Sequence, residues 1–152
     1  MHNFSKCFVA SMAFALASCG SMSNFRDIQD AGPTIYVVGS VESIRDAAVI
    51  ALSERRLDSP QFEKIEKGVI VFAEQSSMAA LVFNSYGGFG KVTIKGDNPS
   101  KNGTVEVSAI TRSRIPNEPV GRDILKGQNF NDPRVAISIL DRINEIAKLK
   151  AQ

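Results

Sequence analysis

Histidine, cysteine and tryptophan are scarce or absent in this chain of 152 residues. The one histidine is His2, the two cysteines are Cys7 and Cys19, and tryptophan is absent. The sequence after Cys19 therefore lacks the imidazole and thiol ligands of zinc, copper and iron–sulfur sites, and it lacks Ser-His-Asp and Cys-His nucleophile systems. We expect no metal, no cofactor and no internal disulfide beyond Cys19, so that packing alone has to stabilise the fold.

The rest of the composition is that of one ordinary globular domain, with 43% hydrophobic and 22% charged residues. Basic side chains are concentrated in the second half of the chain. From Lys91 onward there are 11 basic and 7 acidic side chains, whereas residues 20–90 contain 6 and 9. The formal net charge of the whole chain is only +2, which is too small to favour a nucleic-acid partner.

The N-terminus has the layout of a secretory signal peptide. Residues 1–6 carry one positively charged side chain, and residues 7–16 form the apolar run CFVASMAFAL. As a helix this run would cover only about 15 Å, against the roughly 30 Å of a bilayer's hydrocarbon layer. We therefore expect an export signal and not a permanent membrane span.

The apolar run ends in Leu16, Ala17, Ser18 and Cys19, and these four residues resemble the lipobox of bacterial lipoprotein precursors. The resemblance implies that the Cys19 thiol receives a diacylglyceryl group, that the peptide is cut before Cys19 and that the new amino terminus is acylated as well. Residues 1–18 would then be the signal peptide. Several acyl chains on one residue suffice for stable anchoring, since each buried methylene contributes about 0.8 kcal/mol.

The residues directly after Cys19 indicate in which membrane a lipoprotein is anchored. In the lipoprotein class an Asp directly after the cysteine tends to retain the protein in the inner membrane, but Gly20 and Ser21 follow here. The resemblance thus implies a cell-envelope location in the outer membrane, facing the periplasm, with the membrane itself contacted through the N-terminal lipid.

An ordinary signal peptidase site offers an alternative. Ala15, Leu16 and Ala17 form an A-x-A pattern, and cleavage there would release a soluble protein with one unpaired thiol at Cys19. An exposed odd cysteine is a liability in an oxidising compartment, and this favours lipidation.

Residues 19–33 are mostly small and polar, and we interpret them as the lipidated cysteine and a flexible tether. Fourteen such residues would hold a domain roughly 20 Å from the bilayer. Residues 34–152 are expected to form a single domain.

The first half of this domain predicts two strands of a hairpin, one further strand and one helix. We expect a strand at 34–38 and a helix from 41 to about 56 with Ser40 as its N-cap. We also expect a hairpin formed by residues 61–65 and 69–73.

The second half predicts another hairpin and another helix. Residues 91–95 and 104–111 alternate apolar and polar residues, and Asp132 and Pro133 open a helix that runs to about 150. The apolar run 78–83 could be a strand or a helix, and we favour a strand. These elements predict an α+β two-layer sandwich, a mostly antiparallel sheet of about five strands with two amphipathic helices on one face.

A glycine-rich segment at 86–91 does not fit a phosphate-binding loop. Ser85 stands where that loop needs glycine, Val92 stands where it needs Ser or Thr, and a strand follows instead of a helix. We interpret the glycines as a flexible connection that exposes Tyr86 and Phe89 for binding.

The stretch 112–131 shows no clear periodicity, and loops of this length in compact domains are usually functional or disordered. It contains Arg112, Arg114, Arg122 and Lys126. Their side chains could clamp a carboxylate or phosphate of a partner. A solvated connection with local ion pairs is the plainer interpretation.

The expected function is that of a non-enzymatic, membrane-anchored envelope lipoprotein, a binding or assembly module for a protein or an envelope polymer. Two alternatives stay open. One is a hydrolase that cleaves glycans with paired carboxylates, for which Asp97, Glu106, Asp123 and Asp132 are available without a recognisable motif. The other is a structural subunit of a secretion or outer-membrane assembly complex, which would bind through a sheet edge.

Overall fold

The computed structural model describes residue 28 and residues 32–75, 87–114 and 129–150. In chain order its elements are β1 Thr34–Gly39, α1 Val41–Glu54, β2 Asp58–Ile65, β3 Gly68–Glu74, β4 Gly88–Lys95, β5 Gly103–Ser113 and α2 Pro133–Lys150. The strands form one sheet in the order β1-β5-β4-β3-β2, and every neighbouring pair is antiparallel.

Both helices pack on one face of this sheet, so the predicted two-layer α+β architecture is confirmed. Val92 and Val107 from the middle of the sheet are fully buried beneath Ile44 of α1 and Ile143 of α2. The helices are also joined at the surface, where Arg142 of α2 donates to Glu54 of α1 at 2.8 Å. This bridge adds a surface contact between two helices that already share the core.

Helix α1 begins where a capping box satisfies its first backbone donors. The Ser40 hydroxyl accepts from the Ser43 N–H at 3.1 Å, and the Ser43 hydroxyl accepts from the Ser40 N–H at 3.1 Å. The predicted N-cap at Ser40 is confirmed. Helix α2 likewise starts as predicted, because an Asp132 carboxylate oxygen accepts from the Arg134 N–H at 2.9 Å.

The two predicted hairpins are confirmed. Strands β2 and β3 meet at a tight turn that ends with Gly68 at φ +145°, a conformation that side chains rarely adopt. In the β4–β5 pair, Val92 lies opposite Ala109 and Ile94 lies opposite Val107. All four of these apolar residues face the helices.

Strand β4 begins at Gly88, three residues earlier than the alternation at 91–95 indicates. Of the glycines that suggested a flexible connection, Gly88 and Gly90 belong to the strand, whereas Gly87 precedes it. A Cβ at Gly88 would come within 2.1 Å of the Phe130 ring, and one at Gly90 within 2.7 Å of Leu52 and Leu57. Close packing of large side chains on the strand thus explains these glycines.

Two predicted segments lie wholly or largely outside the described residues. The apolar run 78–83 is one, and most of the predicted tether 19–33 is the other. Of the tether, Ile28 packs against the sheet face opposite the helices, and the Pro33 carbonyl accepts from the Ala109 N–H at 3.2 Å. Neither described helix has the length and apolar character needed to cross a bilayer.

Candidate functional site

Strand β5 extends beyond the end of its neighbour β1. The two strands pair from Gly39–Gly103 to Thr34–Ser108, but β5 continues to Ser113. The Ala109 N–H bonds to the Pro33 carbonyl, so it points toward the β1 side of β5. In an antiparallel strand the N–H and C=O groups of every second residue point to the same side. The backbone groups of Thr111 and Ser113 therefore also point toward the β1 side. This end of β5 is therefore a sheet edge without a neighbouring strand among the described residues.

Gly32 and Pro33 explain why β1 stops there. Gly32 has φ +64°, and a Cβ at this position would come within 2.0 Å of the Ala109 carbonyl oxygen. The chain can turn away from β5 at this point because glycine tolerates both the conformation and the close approach. Pro33 has no N–H to extend the ladder.

A cavity of about 400 Å³ occupies the space that β1 leaves beside β5, and we call it the notch. This volume falls in the range of ordinary ligand pockets. It lies between the end of β5 and the first turn of α2, and it is lined by Gly32, Pro33, Ala109, Ile110, Thr111, Arg112, Asn131, Pro133 and Ala136. The lining is mainly apolar, with a strand backbone and three polar side chains.

The wall of the notch on the α2 side is held by a compact turn. The Asn129 side chain accepts from the Asn131 N–H at 2.9 Å, and its backbone carbonyl accepts from the Asp132 N–H at 3.0 Å. Phe130, 1% exposed, fills the space above Gly88. The Asn131 side-chain oxygen then accepts from the Ser113 N–H at 2.9 Å, in the place of a neighbouring strand.

Arg112 is the predicted binding residue that borders the notch. Its guanidinium donates to the Thr111 carbonyl at 3.1 Å, and its side chain is half-buried. At the rim of a mainly apolar cavity, this cation can meet an acidic group or a backbone carbonyl of a bound chain.

Arg114 has a different position from the one expected for a free clamp. Its guanidinium donates to the Gln75 carbonyl at 2.8 Å, contacts a Glu74 carboxylate oxygen at 3.5 Å and stacks over the Phe89 ring at 5.5 Å. Arg114 thereby connects the end of β5 to the end of β3. Its role in the described structure is to hold these strands together.

The expected exposure of Phe89 is wrong. Phe89 is 3% exposed and packs with Phe72 and Ile110 on the sheet face opposite the helices, where Ile28 also lies. Strand alternation places Phe89 on that face, and Arg114 stacks over its ring. The other predicted binding residues, Tyr86, Arg122 and Lys126, and the predicted lipidation site Cys19 lie outside the described residues.

The same face holds a nearly buried lysine. Lys91 is 9% exposed, its ammonium donates to the Ile28 carbonyl at 2.6 Å, and it lies 5.9 Å from the centre of the Phe72 ring. Its contact with Ile28 joins the segment before β1 to the middle of the sheet.

A second groove runs along the outer side of β1. About 360 Å³ in volume, it lies between residues 36–38 and the part of α2 that contains Asn144, Ala147 and Lys148. The carbonyl of Pro33 points toward β5, and the backbone groups of the other odd-numbered residues of β1 do the same. The N–H and C=O groups of the even-numbered residues therefore point outward, away from the sheet. Tyr36 is 69% and Val38 68% exposed, and β1 contains no charged residue. We call this outer side the β1 edge.

Three of the four carboxylates considered for glycan cleavage lie in the described residues, and each of the three is paired with a cation. Asp97 contacts Lys67 at 3.1 Å, and Glu106 contacts Lys95 at 3.2 Å. The hydrogen bond from Arg134 lowers the pKa of Asp132, whereas a general acid needs a raised pKa. Asp123 lies outside the described residues. Across the described ranges no group of three or more His, Cys, Asp or Glu side chains is placed to hold a metal ion.

Sequence reasoning missed both the notch and the β1 edge. The sequence does indicate that β5 is longer than β1. The alternation at 104–111 covers eight residues, whereas the β-branched run at 34–38 covers five and is preceded by Gly32 and Pro33. The sequence does not indicate that these two strands are neighbours, because their pairing joins residues far apart in the chain.

No family model, no curated protein and no solved structure matches this chain.

Proposed function

We propose that this chain is a non-enzymatic, lipid-anchored protein of the cell envelope that binds or assembles with a protein partner through the edge of its sheet. The observation that carries the proposal is the end of β5, where a strand edge and the cavity of the notch coincide. Asn131 accepts from the Ser113 N–H and Arg112 donates to the Thr111 carbonyl, so an extended polypeptide would add to this edge through the Thr111 N–H while its side chains enter the adjoining pocket.

Backbone chemistry favours a polypeptide over an envelope polymer. The Thr111 N–H is directed into the notch, and β5 is paired in regular register with β4 over this stretch. Arg112 at the rim adds a cation that suits a chain terminus or an acidic side chain. The partner is thus proposed to contribute an extended segment in line with β1.

The anchoring part of the proposal depends on the lipobox resemblance at Cys19, and the position of Ile28 is compatible with it. Ile28 lies against the sheet face opposite the helices, held by Lys91. At about 3.3–3.6 Å per residue, the chain between Cys19 and Ile28 spans at most about 30 Å. A lipid on Cys19 would keep the sheet close to the membrane surface.

Site-specific photo-crosslinking in intact cells of a lipoprotein-processing bacterium tests the binding surface. A photoreactive amino acid replaces the exposed Pro133 at the notch or, as the matched control, Lys64 on β2 at the opposite edge of the sheet. We expect a discrete crosslinked protein from position 133 and none from position 64. Equal crosslinking at both positions, or none at position 133, would contradict the proposal.

A pair of substitutions separates backbone pairing from side-chain contacts. Thr111→Pro removes the N–H that faces the notch, and Thr111→Val keeps it. If a strand adds to this edge, crosslinking from position 133 falls in the proline variant and persists in the valine variant. Loss in both variants would indicate recognition of the hydroxyl instead.

A further inference from the structure

We propose that two copies of this chain associate through the β1 edge, with their β1 strands antiparallel about a two-fold axis that passes near Val37, perpendicular to the sheet. This self-association goes beyond the proposed binding function. It uses the outer side of β1, whereas the notch lies beside β5.

The β1 edge has little protection against strand pairing. Edge strands are usually shielded by charges, proline or bulges, but Thr34–Gly39 contains no charged residue and no proline, and its pairing with β5 is regular. Thr34, Tyr36 and Val38 direct their backbone groups outward. Tyr36 and Val38 also expose about two thirds of their side-chain surface, and a second strand would cover it.

Two-fold symmetry identifies a second copy as the occupant, because the charges beside β1 complement themselves. On α2, Asp141 and Lys148 are seven residues apart and therefore lie on one face, which is turned by about 100–120° from the face of Arg142 that binds α1. Asp141 and Lys148 are exposed, and neither forms an ion pair with any described residue. Two antiparallel copies of α2 would bring each Asp141 to the Lys148 of the other copy.

The helix and the strand are compatible with one axis. Ala136 and Pro33 line one cavity and Ala147 and Val37 line the other, so α2 runs in the same direction as β1. With rises of about 1.5 Å per helical residue and about 3.3 Å per strand residue, counting from the first pair places the midpoint of Asp141 and Lys148 beside Val37, and counting from the second pair places it beside the neighbouring Tyr36.

An axis at Val37 places Tyr36 of one copy opposite Val38 of the other. These are residues whose backbone groups point outward, so the pair can exchange both of its main-chain hydrogen bonds. Aromatic side chains next to β-branched ones are favourable neighbours across strands. The strand register and the helix charges are therefore satisfied by one arrangement.

The axis is also compatible with two anchors in one membrane. A two-fold axis perpendicular to the sheet keeps both helical layers on one side and both opposite faces on the other. Ile28 lies on the face without helices, so the segments that lead toward Cys19 would leave both copies on the same side.

The test is the oligomeric state of the full-length, detergent-solubilised protein, measured by sedimentation equilibrium. We expect a dimer. Asp141→Lys and Lys148→Asp should each weaken it about tenfold, since each replaces two attractive contacts by repulsive ones. The double variant Asp141→Lys/Lys148→Asp should recover most of the affinity. Glu63→Lys, an equal charge change on β2, is the matched control and should have no effect.

A monomer at every concentration would overturn the proposal, as would a double variant that associates no better than the single ones. Circular dichroism of each variant shows whether a loss of association reflects loss of fold. Val38→Lys adds a charge to the strand itself and should leave a folded monomer, whereas a folded dimer of this variant would also contradict pairing through β1. None of these measurements depends on the partner that crosslinks at the notch.

Discussion

The Asn131 side-chain oxygen accepts a hydrogen bond from the Ser113 N–H at 2.9 Å, where a sheet would otherwise supply the carbonyl of another strand. Ser113 is 6% exposed, so water cannot easily replace this acceptor. One side chain from the turn before α2 thus closes the end of β5 and forms a wall of the notch.

Replacing Asn131 should therefore destabilise the domain. In Asn131→Ala the buried Ser113 N–H loses its acceptor, and we expect the free energy of unfolding to fall by about 1–3 kcal/mol. Urea denaturation measures this change. Asn102→Ala, in the exposed connection between β4 and β5, should change it by less than about 0.5 kcal/mol. Equal effects of the two substitutions would show that the Asn131 contact is unimportant.

Gly32 should be intolerant of a side chain. Gly32→Ala places a Cβ within 2.0 Å of the Ala109 carbonyl oxygen at φ +64°, so we expect a loss of about 2 kcal/mol or more, or a displaced start of β1. Gly103→Ala is the control, because a Cβ there meets nothing within 4 Å. Thermal unfolding of both variants compares them, and a Gly32→Ala protein as stable as the control would refute the close approach.

Arg112 and Arg114 should differ in what their loss affects. Arg114→Ala removes a charged hydrogen bond to the Gln75 carbonyl and should lower the free energy of unfolding by about 1.5–3 kcal/mol. Arg112→Ala should reduce partner capture at the notch. Chemical denaturation combined with pull-down of the crosslinked partner measures these effects. Unchanged stability of Arg114→Ala, or unchanged partner capture by Arg112→Ala, would contradict the assignment.

The ion pair between Arg142 and Glu54 should make the free energy of unfolding depend on pH in the acidic range. The hydrogen bond from Arg142 holds the pKa of Glu54 below its ordinary value of 4.5. Because the pKa is lower in the folded state, the contribution to stability is present above pH 4.5 and is lost as the pH falls through the lowered value. In Glu54→Gln the stability should therefore vary less with pH below about 4.5.

Unfolding curves from pH 7 to pH 3 check this dependence. Glu63→Gln serves as the control, since it removes one exposed carboxylate from β2 that forms no ion pair with any described residue. Parallel stability profiles for Glu54→Gln and the unsubstituted protein would show that the Arg142 bridge makes no contribution.

Lipidation should require Cys19 and not Cys7. Cys19→Ala should abolish acylation and membrane fractionation, whereas Cys7→Ala, within the expected signal peptide, should preserve both. Mass spectrometry of the mature N-terminus and fractionation of cells measure the two outcomes. A Cys19→Ala protein that stays in the membrane fraction, or a mature chain that begins at another residue, would rule out the lipid anchor.

The order of strands and helices followed from local patterns. Alternation in β4 and β5, the apolar stripe of α2 and the caps Ser40 and Asp132 involve residues a few positions apart, and such short-range preferences act before any tertiary contact forms. This is why the α+β architecture could be predicted without the structure.

The glycines at 87–90 show where local patterns were insufficient. They suggested a loop with an exposed Phe89, yet Gly88 and Gly90 lie inside β4 because Phe130, Leu52 and Leu57 pack onto them from distant parts of the chain. No nearby residue indicates these contacts.

Periodicity, caps and the four-residue motif are all local features of the chain. They were enough to predict the secondary structure and the two layers, and they are the basis of the prediction that Cys19 is lipidated. The notch and the β1 edge needed the folded molecule. They exist because Thr34 pairs with Ser108, 74 positions away, and because Asn131 reaches the end of β5. Which strand edge stays open is settled when distant segments pair and pack, and no local preference encodes that choice.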